Sequence, residues 1–263
     1  MVAAQRDDLV GVCVGYTEER ACCNRSPRDW PTTLGLAELS LLSAELVNGT
    51  VDAIGAHKQI AVLDVVSGGR FHFGIGVGGE FPPEFEAVGV PVNERGARTN
   101  ESLEVIDKLL TEQNVHFEGR FTTLDGVTLA PQPIQKPRMP FWVAGRRDAA
   151  MRRAARYAEG WLPYMYTPQM LAESMEKIAG FTEEAERPAG TVRGGLFIFT
   201  CVHKDRETAL ELANQQLSRQ YNQDFSKLVE KYTIAGSPED CIARAQQYID
   251  AGARTIVFSQ GCP

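Results

Sequence analysis

Two short runs in this chain hold residue types and spacings that could do chemistry. In Gly145-Arg146-Arg147-Asp148 a glycine precedes two cationic side chains and an acidic residue placed to cap a helix over Ala149 to Glu159. Guanidinium donors beside the open amides of a helix N-terminus form a cradle for an anion such as phosphate, with Asp148 capping and not binding. The competing reading is two solvated arginines ahead of an ordinary helix. The second run is Ser67-Gly68-Gly69-Arg70-Phe71-His72-Phe73-Gly74-Ile75-Gly76-Val77-Gly78-Gly79-Glu80-Phe81. Gly68 sits where a helix ending at Val66 or Ser67 would take a left-handed residue, and a strand then begins at Phe71. Glycines 74, 76, 78 and 79 crowd that strand's C-terminal end, the place where α/β proteins bind ligands, and bare backbone lets a planar or phosphorylated molecule come close. A glycine-rich loop that only permits close packing is the alternative.

Gly74, Gly76 and Gly79 also satisfy G-x-G-x-x-G, the turn of a dinucleotide-binding fold. That turn needs a helix directly after it, and Pro82-Pro83 oppose one. Glu80 offers a carboxylate, but no partner that would make it a general acid is visible beside the prolines. His72 alternates with Phe71 and Phe73 and is expected to line a core or barrel. The four histidines and six cysteines show no metal-ligand spacing and no C-x-x-C pair, which argues against a zinc site.

The elements that must position these runs alternate from residue 57 onward. Strands are expected at Phe71 to Val77, Phe141 to Gly145, Gly160 to Pro163, Gly195 to Val202 and Arg254 to Phe258, each a short apolar run of the kind buried in a parallel sheet. Helices fall between them. Thr99 or Asn100 can cap one that carries Leu103, Ile106, Leu109 and Leu110 on a single face, and Pro168 to Glu186 and Pro238 to Ala251 give two more. Val115 to Thr123 reads as a hairpin around Glu118-Gly119, and Pro131 to Pro140 as an extended lead that either covers a barrel mouth or straps its rim. The alternation predicts one large α/β domain, a barrel or a doubly wound sheet. Residues 1–56, apart from Leu34 to Val47, show little helical or strand period, and no strand is placed there.

A net charge of −7 on 263 residues, with dispersed basic side chains, argues against a nucleic-acid surface. No apolar run approaches a membrane span and no signal-peptide core opens the chain, so a cytoplasmic protein is expected.

Gln59 to Arg70 with the Gly74 to Gly79 strand end, then Glu84-Phe85-Glu86-Ala87-Val88-Gly89-Val90-Pro91, Glu94-Arg95-Gly96-Ala97-Arg98, Pro140-Phe141-Trp142-Val143-Ala144-Gly145 and Gly160-Trp161-Leu162-Pro163, resemble the luciferase-like monooxygenase family. The resemblance implies an α/β fold of the (β/α)8 TIM-barrel-like kind. It also implies flavin mononucleotide (FMN) or the deazaflavin coenzyme F-420 at the strands' C-terminal ends, where that fold places its sites. By the same resemblance Gly145 and Arg146, with Arg147 beside them, match the cofactor-phosphate loop. Gly76, Gly78 and Glu80 match the strand end beside the ring, and Trp161 packs near the cofactor or in the core. The implied activity is monooxygenation or hydride transfer on a small organic substrate, and a homodimer is a further expectation. The family's three early strands and final helix are not legible here. The barrel is therefore expected to be incomplete, with residues 1–56 an atypical segment that replaces those strands and 57–263 the barrel domain. A non-catalytic or truncated barrel with weak or no flavin binding is the alternative.

Overall fold

The computed structural model describes residues 10–14, 41–47, 53–78 and 82–262. In chain order the elements are β1 (Val10–Val14), β2 (Leu41–Val47), α1 (Ala53–Ser67), β3 (Phe71–Gly76), α2 (Pro82–Ala87), a 3-10 turn (Val92–Glu94), α3 (Arg95–Thr111), β4 (Val115–Glu118) and β5 (Thr123–Val127). They continue with β6 (Phe141–Ala144), α4 (Asp148–Tyr157), β7 (Gly160–Leu162), α5 (Pro168–Glu184), β8 (Arg193–Val202), α6 (Arg206–Tyr221), α7 (Val229–Tyr232), β9 (Thr233–Gly236), α8 (Pro238–Asp250) and β10 (Ala253–Gln260). The chain divides into two compact units, one formed by Glu38–Trp161 with Phe181–Val192, the other by Met1–Ala37, Leu162–Gly180 and Arg193–Pro263.

In the first unit the strands follow the order β2, β3, β6, β7, with β2 and β6 both parallel to β3. Phe73 pairs with Phe141 and Ile75 with Val143 in register. Strand alternation sends Phe71, Phe73 and Ile75 into the core and leaves His72, Gly74 and Gly76 half-buried on the opposite face. Phe73 and Phe141 meet edge to face at 5.3 Å, a geometry worth about 0.5–1.5 kcal/mol beyond burial. Helix α3 closes the core with Leu103, Ile106, Leu109 and Leu110, the expected apolar face. It begins at Arg95, with Glu94 at the cap position, five or six residues earlier than caps at Thr99 or Asn100 imply. Thr99 turns its hydroxyl back to the Arg95 carbonyl at 2.7 Å, and the Asn100 side chain accepts from Arg153 Nε at 2.7 Å, so both expected caps are engaged elsewhere. Helix α1 ends as expected at glycine: Gly68 and Gly69 have φ of +67° and +79°, and the Gly69 amide donates to the Asp64 carbonyl.

The excursion between α3 and β6 resolves into two fastenings. Strands β4 and β5 pair antiparallel in a hairpin as expected, but the return strand starts only at Thr123, where the expected hairpin ends, and Glu101 of α3 holds the intervening turn by accepting from the amides of Arg120 and Phe121. The extended lead is a strap across the N-terminal end of β3, and the alternative of a cover at the C-terminal mouth is corrected. The buried Asp64 carboxylate accepts from the amides of Ile134 and Gln135 and from Gln135 Nε2, which also donates to the Phe71 carbonyl. The lead's last turn carries Arg138, whose guanidinium bonds Asp107 and Glu159 and lies 3.5 Å from the centre of the Phe141 ring. Glu159 in turn pairs with Arg187, which donates to the carbonyls of Ala155 and Ala158 at the end of α4. Cations at a helix C-terminus satisfy carbonyls that have no intrahelical partner.

In the second unit β1 runs parallel to β10, β10 to β8 and β8 to β9. Helices α6 and α8 are capped by Asp205 and by a Ser237/Asp240 capping box with Pro238 at the first helical position. Cys201, Ala209, Ala213, Val229, Ala235 and Cys262 form one of its buried clusters. Three strands went unread in the sequence. β9 is four fully buried residues with no alternation to detect, and β1 and β2 lie within residues 1–56.

Candidate functional site

Residues Ile75 and Val143 face each other across β3 and β6, so the ends of these two strands lie side by side within the first unit. Gly76 is the last residue of β3. A Cβ there would meet nothing within 4 Å, so open space adjoins this position. Gly78 follows with φ of +61°, the left-handed region a glycine enters at no steric cost. Gly79 and Glu80 lie outside the described residues, so Glu80 is not placed. Helix α2 begins at Pro82 itself, which corrects the argument that the two prolines oppose a helix there. Proline lacks only an amide that the first helical turn leaves unbonded anyway. At six residues α2 is one and a half turns long.

On the half-buried face of β3, Gly74 pairs with Trp142 of β6. The Trp142 indole is 2 % exposed and donates from Nε1 to His72 Nδ1 at 3.0 Å. It fits because Gly160 carries no side chain: a Cβ at Gly160 would lie 2.3 Å from the indole ring. His72 is thus a lining residue with an ordered ring, in agreement with its alternation in the sequence.

Beyond β6 the chain turns at Gly145, with φ of +124°. A Cβ there would approach Ala150 Cβ to 2.8 Å, so both the backbone conformation and the close passage over the first turn of α4 call for glycine. Arg146 and Arg147 follow, both exposed. Asp148 does not cap α4. Arg147 is the capping residue, in an extended conformation, and its carbonyl accepts from the amides of Ala150 and Met151. The Arg147 side chain makes no capping hydrogen bond, and Asp148 stands in the first turn, where a carboxylate interacts favourably with the helix dipole. The turn therefore holds two exposed arginines followed by a helix start.

Trp161 is 0 % exposed and donates from Nε1 to the Gly145 carbonyl at 2.8 Å. The structure thus gathers Gly145, Arg146, Arg147 and Trp161 about one turn, with Gly76 and Gly78 at the end of the adjacent strand. Neither indole hydrogen bond is visible in the sequence, since the partners are 16 and 70 residues apart.

The luciferase-like monooxygenase family model matches residues 36–255, well over half of the chain. The chain belongs to that family. Uncharacterised proteins of Mycobacterium bovis and Mycobacterium tuberculosis are 34 % identical over 128 residues, 49 % of this chain and 43 % of theirs, so the match spans less than half the length of these relatives. Among solved structures, a monooxygenase from Streptomyces bottropensis superposes with a TM-score of 0.71 at 20 % identity, covering 83 % of this chain and 70 % of that one. A coenzyme F-420 dependent tetrahydromethanopterin reductase from Methanopyrus kandleri gives 0.66 at 20 % identity, covering 80 % and 74 %. An F-420 dependent secondary alcohol dehydrogenase, solved with an F-420–acetone adduct, gives 0.69 at 19 %, covering 81 % and 70 %. These likenesses show the fold, which is α/β and TIM-barrel-like as expected. No helix among the described residues is long and apolar enough to cross a membrane.

Proposed function

We propose that this chain is an oxidoreductase dependent on a flavin-type cofactor, FMN or coenzyme F-420, that carries out monooxygenation or hydride transfer on a small organic substrate. The observation that carries the reading is the turn after β6. A position that calls for glycine leads into two exposed arginines and a helix whose cap residue makes no side-chain capping bond, a donor set suited to the cofactor phosphate. The open space beside Gly76, at the end of the neighbouring strand, and the left-handed Gly78 that follows it are the positions we assign to the ring system. When bound, the cofactor supplies a two-electron carrier, and with FMN also the means to activate dioxygen.

The part of this chain's own residues is to bind and orient. Arg146 and Arg147 neutralise phosphate charge, and the first-turn amides of α4 direct it. Asp148 adjoins the same turn, so the arginines also offset its repulsion of an incoming anion. Family membership supports the reading, and so do the likenesses to an F-420 dependent reductase and an F-420 dependent alcohol dehydrogenase.

The test is an absorbance titration of the purified protein with FMN and with F-420. Saturable binding of one, weakened about tenfold or more by Arg146→Ala, is the expected result, since a hydrogen bond to a charged group contributes about 1.5–3 kcal/mol. Absence of binding to either would favour a barrel without catalytic function.

A further inference from the structure

We infer that Trp161 is a positioning residue for the anion site: its indole N–H locks the Gly145–Arg146 peptide so that the Arg146 amide points outward to a bound phosphate. This rests on the reading of the turn as a phosphate site and goes beyond it by assigning the group that sets the turn's shape.

A trans peptide is planar, and its carbonyl and N–H point in opposite directions. The Gly145 carbonyl is drawn to Trp161 Nε1 at 2.8 Å, and that indole is wholly enclosed. The N–H of the same peptide, which belongs to Arg146, is therefore directed away from the buried indole. Gly145 stands at φ of +124°, a conformation with alternatives close by for a residue without a side chain. Glycine alone leaves the peptide free to rotate, and the indole removes that freedom. Trp161 also follows Gly160 directly, and the absent side chain at Gly160 seats Trp142 on the opposite face of β7. Two adjacent residues thus fix the floor under β3 and β6 and the turn beyond them.

The consequence is selective: a ligand bearing phosphate depends on Trp161, whereas its phosphate-free counterpart does not. The experiment compares FMN with riboflavin, and F-420 with its phosphate-free deazaflavin core, on the wild type and on Trp161→Phe. Because the smaller ring leaves space in the core, a second variant carries benzothienylalanine at position 161, which keeps the indole shape and replaces the N–H by sulfur. The expected result is a wild type that prefers the phosphorylated ligand of one pair, and variants that lose about tenfold of that affinity while binding the phosphate-free ligand as the wild type does. Variants that keep the full preference would overturn the role of Trp161 and leave the phosphate site standing. A wild type with no preference for phosphate in either pair would overturn the phosphate site, and the inference with it.

Discussion

Gly160 shows how much of this site depends on what a residue lacks. Its hydrogen leaves room for the Trp142 ring, which a methyl group would approach to 2.3 Å with the rigid indole unable to yield. Gly160→Ala is expected to lower stability by about 1–3 kcal/mol, the usual cost of overfilling a packed interior. It should also displace Trp142 from His72, and urea denaturation with near-ultraviolet circular dichroism would register both effects. At this scale the sequence was informative about types and silent about partners. The spacing of Gly145, Arg146 and Arg147 was enough to suggest an anion site. That Trp161 serves the turn by holding the Gly145 carbonyl rests on a contact across 16 residues, which no local pattern encodes.

Among the elements, the strap from Pro131 to Pro140 and helix α4 are joined by charge. Arg138 is 9 % exposed in its side chain and bonds Asp107 of α3, Glu159 after α4 and the carbonyls of Met139 and Tyr157. Removing it takes away the guanidinium that bridges Asp107 and Glu159 and leaves Glu159 its pairing with Arg187. Arg138→Ala is expected to cost about 2–3 kcal/mol, as for loss of hydrogen bonds to charged groups, read as a lower denaturation midpoint with an unchanged slope. Binding of the proposed cofactor at the other end of β6 should be unaffected. Helix and strand identities were legible where the period is long, as in α3, whose four apolar residues fall on one face. Boundaries were less so, because Thr99 and Asn100 have capping side chains that the fold uses for other bonds. Asp148 missed its expected role by one position, since Arg147 takes the extended conformation of a cap.

For the whole molecule, acid sensitivity is expected to arise in part at His57. Its ring is buried between α1 and α3, with Nε2 at 3.0 Å from the Leu109 carbonyl, which also accepts from Gln132 Nε2, and with Nδ1 buried without a hydrogen-bond partner. Burial pushes its pKa below the usual histidine value of 6.5, and the neighbouring Lys58 charge acts in the same direction. A base with a depressed folded-state pKa takes up its proton more readily when unfolded. His57 therefore contributes its full stability above about pH 6.5 and loses it as pH falls from there to its folded-state pKa. Denaturation midpoints at pH 7 and pH 5 should differ more in the wild type than in His57→Gln, and an equal difference would count against this account. The α/β class was readable from five apolar runs separated by helical periods, and the family from the ordered series of motifs on them. What stayed hidden was short or uniform: β9 has four residues, all buried, and so has no inside–outside alternation to reveal it.

The enclosure of two indoles also gives the protein an optical reporter of its own. Trp142 and Trp161 are almost fully withdrawn from water, each with its N–H committed to a fixed acceptor, while the third tryptophan, Trp30, lies outside the described residues. Indoles held in this way emit at shorter wavelength than exposed ones, where flavin and deazaflavin rings absorb. Occupancy of the turn beside them can thus be followed as quenching by energy transfer, without a label and at protein concentrations far below those an absorbance titration needs.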